Sequence, residues 1–192
     1  MKKKAVAVVM TAVMALGMVS AVSVQAGIED KTLIVGFDAE YPPYGYMDEN
    51  GEYTGFDLEL AQAVCDLEGW ELEKKPINWD SKDMELNSGS IDCIWNGFTM
   101  NGREDDYTFS EPYVDNSQVI VVADDSGIEK LTDLAGKTVG VQAASAALDL
   151  LQSEEEGGQK ELADTFGALN EFADYNTAFT ELQAGALDAL AI

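Results

Sequence analysis

Residues 91–105 read "IDCIWNGFTMNGRED". A short apolar run, "IDCIW" (91–95), gives way directly to a turn rich in Gly and Asn. The run has the length and composition of a strand buried on both faces, and such strands belong to parallel sheets covered by helices. In open sheets of that kind, ligands bind beyond the carboxyl ends of the strands. The turn therefore stands at a functional edge. It holds Arg103, the single arginine of the chain.

The same alternation continues on both sides. Upstream, "LIVGF" (33–37) is another buried-strand run, followed by the turn-rich segment "DAEYPPYGYMDENGEYTG" (38–55). "FDLELAQAVCDLEG" then sets Phe56, Leu60, Val64 and Leu67 on one helical face, with Asp57 and Glu59 in the first turn, where the helix dipole favours acids. "WELEKKPINW" (70–79) supplies a strand and a loop. "DSKDMELNSG" (80–89) reads as a short helix with Asp80 or Ser81 at its N-cap and Gly89 just past its end. The order is β-α-β-α-β with short connections, which predicts a parallel α/β sheet.

Downstream, strands are predicted at "SQVIVVA" (117–123), "TVGVQ" (138–142), within "ALNEFADY" and at "LDALAI" (187–192). Helices are predicted at "LTDLAGK" (131–137), "ASAALDLLQSEEE" (144–156) and "NTAFTELQAG" (176–185). The crossing between two α/β lobes is expected near 113–118, which divides 27–116 from 117–192. The last apolar run stops without a turn or a polar end, so a fragment is expected, with the second lobe and the return to the first both incomplete.

Residues 1–26 read as an export signal. Lys2, Lys3 and Lys4 precede the apolar stretch "AVAVVMTAVMALGMVSAV", and Val24 and Ala26 suit cleavage after Ala26. Small residues dilute the segment, which favours cleavage over a transmembrane anchor, and no Cys lies near the junction to carry a lipid. The expected location is extracytoplasmic, in a periplasm or at the cell exterior. The leader takes three lysines and no acids with it, so 8 basic residues face 36 acids in the remainder, a net charge of −28. Such a surface repels nucleic acid and anionic lipid. The chain has no histidine, which removes Ser-His-Asp and Cys-His chemistry and most zinc sites. Cys65 and Cys93 are too few for a metal site; they read equally as a disulfide or as two buried thiols.

Four of the predicted strands end in residues with binding chemistry. Asp38, Glu40 and Tyr41 follow the first; Trp79 follows the second; Asn96, Gly97, Thr99 and Arg103 follow the third; Gln142, Ser145 and Ala146 follow "TVGV". Arg103 offers a planar fork matched to a carboxylate. The helix start near Ser145 offers free N–H groups and a positive dipole end. Gly97 permits a close backbone approach. Tyr41 and Trp79 offer flat faces for an aliphatic stem or a cation, and Asp38 a charged acceptor. Taken singly, the aromatics fit a core or a rim, and Asp38, Gln142 and Ser145 fit turns or caps. Taken jointly, they describe a site for a zwitterionic α-amino acid.

At these residues the chain resembles the polar amino acid family of extracellular solute-binding proteins that serve ABC importers. The matching pieces are "FDAEYPPYGY", "GEYTGFDLELAQAV", "MELNSGSIDCIWNGFTMNGRED", "YTFSEPY", "LTDLAGKTVGVQ" and "AFTELQAGALDALAI". They fall in the family's order and spacing. The resemblance implies an α/β fold of the two-lobed periplasmic-binding-protein type II architecture, parallel sheets flanked by helices, closing on one amino acid. By motif position Arg103 would hold the ligand carboxylate. Thr99 and the carbonyl near Gly97 would hold its α-amino and carboxylate groups, Tyr41 and Trp79 would sandwich it, and Asp38 would meet its side chain. The backbone around Ser145 and Ala146 would complete the clamp. It also implies a monomer with no cofactor and no metal, partnered by an ABC permease in the membrane.

Three departures stand out. The family's Thr-x-Thr-x-Glu-Arg pattern is one residue shorter here, at Thr99-Met100-Asn101-Gly102-Arg103. Gln142 stands where a Lys or Arg is common. The family's ammonium-pairing aspartate would lie just past Ile192, so a chain of this length is expected to bind weakly or not at all. Asp38 and Glu40 favour a cationic or amide ligand: arginine, lysine or another polar amino acid, then glutamine, with glutamate disfavoured. No catalytic residue is expected. Two alternatives share the scaffold. One is a dehydratase using the Asp38–Glu40 carboxylates; the other is the ligand-binding domain of a membrane sensor.

Overall fold

The computed structural model describes residues 31–192, so the expected leader lies outside the described residues. Strand β1 (Thr32–Phe37) lies between β5 (Glu71–Pro76) and β6 (Cys93–Ile94), both parallel to it. Val35 and Phe37 are fully buried against α1 (Phe56–Glu68). Burying such side chains stabilises a fold by about 1.5–3 kcal/mol each. Because β1 and β6 pair Val35 with Cys93, Cys93 lies on this α1 side of the sheet as well.

Helix α1 turns a different face inward from the one predicted. Leu58, Ala61 and Cys65, with Asp57, are buried, whereas Phe56 is 45% and Leu67 86% exposed. Both stripes satisfy a 3.6-residue period. The small Ala61 and Cys65 let the helix lie close to the sheet, and that packing decides between them. Gly69, left-handed at φ 68°, ends the helix.

The turn-rich segment 38–55 holds more order than predicted. β2 (Glu40–Tyr41), β3 (Gly45–Met47) and β4 (Tyr53–Thr54) form a small antiparallel sheet. Gly55 follows at φ 129°, where a Cβ would meet the Tyr44 carbonyl oxygen at 2.3 Å. After β5, Trp79–Ser81 form a 3₁₀ turn leading into α2 (Lys82–Asn87). Ser81 is the N-cap, but its hydroxyl bonds Asn78 O at 2.8 Å rather than the helix.

The second large sheet has the order β7-β10-β8-β9: β7 (Ile120–Val121), β8 (Thr138–Gln142), β9 (Ala168–Phe172) and β10 (Ala189–Ala191). β8, β9 and β10 are parallel, and β7 is antiparallel to β10. β7 keeps two residues of the predicted seven-residue strand. The rest of 117–123 lies at an edge, where ladder hydrogen bonds are available from one side alone. Leu131–Leu134 is a 3₁₀ turn rather than an α-helix. Helix α3 (Ala146–Gln152) is shorter than the predicted 144–156, because acidic "SEEEGG" has no apolar face to bury. A short α4 (Lys160–Ala163) and α5 (Tyr175–Gln183) complete the lobe. Its core gathers Leu134, Val139, Val141, Leu148 and Leu151. The chain crosses from one sheet to the other between Ile94 and Ile120. Among the described residues no helix is long and apolar enough to cross a membrane.

Candidate functional site

The carboxyl ends of β1, β5, β6, β8 and β9 face one another across a cleft between the two sheets. The residues that follow those ends form its walls: Tyr41, Trp79, Asn96, Gly97, Thr99 and Arg103 from the first lobe, and Gln142, Ser145 and Ala146 from the second. Nine of the ten predicted site residues thus meet in one place. Asp38 stands behind the wall, 5% exposed, and lines a neighbouring surface hollow.

Arg103 lies across the cleft. Its Nη1 donates to Thr99 O at 3.3 Å and its Nη2 to Ala144 O at 3.3 Å and to the Asp149 carboxylate at 2.6 Å. The guanidinium carbon sits 5.0 Å from the Phe98 ring centre. Ala144 accepts this bond because its backbone is left-handed, at φ 53°. That conformation costs an L-residue roughly 1–2 kcal/mol, and it turns the carbonyl toward the first lobe. Ser145 then caps α3 by accepting from Leu148 N at 3.2 Å.

The aromatic wall is layered. Tyr41 stacks on Tyr44 (5.4 Å between ring centres) and meets Tyr175 of the opposite lobe at 5.6 Å. Burial, with Tyr175 and Tyr44 beside it, pushes the Tyr41 phenol up to about 12, so it stays a neutral donor at pH 7. Trp79 is 6% exposed and stands edge-on to Phe98 at 5.2 Å. A Cβ at Gly97 would come within 3.0 Å of Tyr41 Cε1, so glycine is what allows this wall.

Polar bonds tie the lobes together beside the cavity. Gln142 Nε2 donates to Asp38 Oδ2 at 2.7 Å, and Asn176 Nδ2 to Glu40 Oε2 at 2.5 Å. Burial raises the Asp38 pKa, and the bonds from Glu40 N and Gln142 oppose the shift. The cleft is narrow: its free volume is about 30 Å³, room for about one or two waters. Admitting a metabolite requires the lobes to separate.

Besides Asp149, five participants were not predicted. Lys82, 5% exposed, places its ammonium 5.2 Å from the Trp79 ring centre and 3.3 Å from Ala144 O. Burial lowers its pKa. It sits where a short amphipathic helix gave no reason to expect a buried cation. Asn116, Gln118 and Ile192 also line the cavity, with Asn116 Nδ2 bonded to Thr99 Oγ1 at 2.9 Å. Tyr175 lies just beyond β9, so the strand-end rule that selected the others applied to it too. Below the cleft Asp57 is fully buried. Its Oδ1 accepts from Tyr113 Oη at 2.9 Å, and its Oδ2 has no partner among the described residues. Cys65 and Cys93 are free thiols, and burial pushes Cys93 up to about 11.

Known proteins resemble this chain in sequence and in fold. The arginine-binding extracellular protein ArtP of Bacillus subtilis is 38% identical over 138 residues, 71% of this chain and 51% of its own length. The L-cystine-binding protein TcyJ of Escherichia coli is 31% identical over 192 residues, 94% of this chain and 69% of its own. This chain thus spans about half to two thirds of the relatives it matches. A crystal structure of an ABC uptake transporter substrate-binding protein from Streptococcus pneumoniae with bound histidine superposes with a TM-score of 0.79 at 35% identity, covering 85% of this chain and 66% of that one. The profile of the bacterial extracellular solute-binding proteins, family 3, matches residues 33–191, and this chain belongs to that family.

Proposed function

We propose that this protein is the substrate-binding component of an ABC importer, capturing a polar or cationic L-amino acid outside the cytoplasm and delivering it to a membrane permease. The observation that carries the proposal is the placement of Arg103. It is the chain's single guanidinium, and its side chain is 11% exposed at the cleft between the lobes. It faces the aromatic wall of Tyr41 and Trp79 and the start of α3. A zwitterion between these walls would give its carboxylate to Arg103 and the α3 amides, and its aliphatic stem to the rings. Closure around it would exclude water and strengthen each charged contact. The names of the relatives, which bind arginine, cystine and histidine, support a ligand of this class.

Binding without turnover is the better reading of the acids as well. Asp38 and Glu40, the pair a dehydratase would use, each have an oxygen committed to a side-chain amide of the second lobe. We expect a monomer that binds one amino acid. A thermal-shift screen of the full-length protein with the twenty amino acids and cystine tests the proposal, because a ligand that binds only the folded state raises the melting temperature. Arginine, lysine, histidine, cystine or glutamine should raise it, and Arg103→Ala should abolish the shift. A folded protein indifferent to all of them would overturn the proposal.

A further inference from the structure

Among the described residues Arg103 has one anionic partner, and that partner comes from the opposite lobe. Asp149 belongs to the first turn of α3, one helical turn beyond Ala146 of the cleft wall. Its Oδ2 lies 2.6 Å from Arg103 Nη2, while its side chain remains 60% exposed. A ligand carboxylate entering the cleft would bring the same chemical group to the same fork.

We infer that Asp149 is an internal competitor for the ligand's carboxylate and so an affinity-setting residue of the site. The inference rests on the amino-acid-binding function proposed above. In the closed form Arg103 also bonds Thr99 O and Ala144 O, and neither bond involves Asp149. Lys82 holds Ala144 O as well, a second tie between the loop before α3 and the first lobe when the cleft is shut. Asp149 swings into water at little cost because it is already mostly exposed. The measured affinity is then a difference between two carboxylates on one guanidinium, rather than the full strength of either.

The test compares wild type with Asp149→Asn in the full-length protein, with Glu155→Gln as a control that removes an acid from an exposed loop. Calorimetry with L-arginine and L-argininamide separates competition from general electrostatics, since the amide lacks the carboxylate. D149N should bind L-arginine about two- to fivefold more tightly, the range of an exposed ion pair, with no gain for L-argininamide and no effect of E155Q. If L-arginine does not bind, the comparison uses the amino acid that gives the largest thermal shift, with its own amide. Selective ¹⁵N-arginine labelling adds a direct view, with the Arg103 signals assigned by their loss in Arg103→Lys. The Arg103 guanidinium signals should shift in D149N, and move in wild type when the amino acid is added. Unchanged signals and unchanged or weaker affinity in a protein that does bind amino acids would sink the role of Asp149 alone. Absence of binding by both wild type and D149N, across all twenty amino acids and cystine, would sink the proposed function and the competition with it.

Discussion

Gln142 Nε2 reaches Asp38 Oδ2 at 2.7 Å across the gap between the lobes, 104 residues away in sequence. The carboxylate is buried, its other oxygen is taken by Glu40 N at 2.9 Å, and burial raises its pKa. Gln142→Ala leaves Oδ2 without this donor. The expected loss is about 1–3 kcal/mol of stability, the penalty for an unsatisfied buried polar group. Gln142→Glu sets two acids against each other, so its loss should exceed that of Q142A at pH 7 and shrink as the pH falls. Urea denaturation of both variants checks this; a Q142A loss under about 0.5 kcal/mol would show the bond to be incidental.

Asp57 predicts a pH dependence of opposite sign to that of an ordinary paired carboxylate. Burial raises its pKa from 3.8 to about 6, against the lowering effect of the Tyr113 hydroxyl. Between those values the folded state binds more protons than the unfolded state, so stability falls as pH rises through that window. At about 1.4 kcal/mol per unit, the cost above pH 6 is on the order of 2–3 kcal/mol. Asp57→Asn keeps the acceptor for Tyr113 and removes the charge. Its melting temperature relative to wild type should therefore climb from pH 4 to pH 7. A constant difference across that range would place the titration elsewhere.

Gly97 makes room for Tyr41. Gly97→Ala brings a methyl within 3.0 Å of Tyr41 Cε1, which the ring can relieve by turning off its rotamer at about 0.5–1.5 kcal/mol. Because Tyr41 is a wall of the cleft, the effect should appear in binding. Amino-acid affinity should drop about two- to tenfold while the urea midpoint barely moves. An affinity equal to wild type would mean that the ring adjusts without disturbing the wall.

Lys82 separates stability from grip. Replacing a buried cation by an apolar chain of similar length removes its desolvation penalty, so Lys82→Met should hold or raise stability, by on the order of 1 kcal/mol. The same change removes the bond to Ala144 O, so the amino acid should dissociate faster from K82M. Stopped-flow release and thermal melting measure the two effects. A lower melting temperature with unchanged release would reverse this assignment.

The alternation of strands and helices, the Gly stops and the strand-end residues were legible in the sequence, because each depends on neighbours within one or two turns of chain. Apolar periodicity located α1, yet it could not choose between the Phe56–Leu67 stripe and the Leu58–Cys65 stripe. The choice depends on how closely Ala61 and Cys65 can approach β1, a distance between elements. The antiparallel direction of β7 depends on its partner β10, about 70 residues later and invisible to any local pattern. The strand-end rule assembled nine cleft residues, but Lys82 and Asp149 looked like ordinary charges on helix surfaces. By itself the sequence determined the order of the main strands and helices and the one guanidinium at a strand end, since backbone propensity and spacing are local. Tertiary structure alone decided which charges face Arg103 and which acids lose water, because desolvation and ion pairing arise only when the two sheets close on each other.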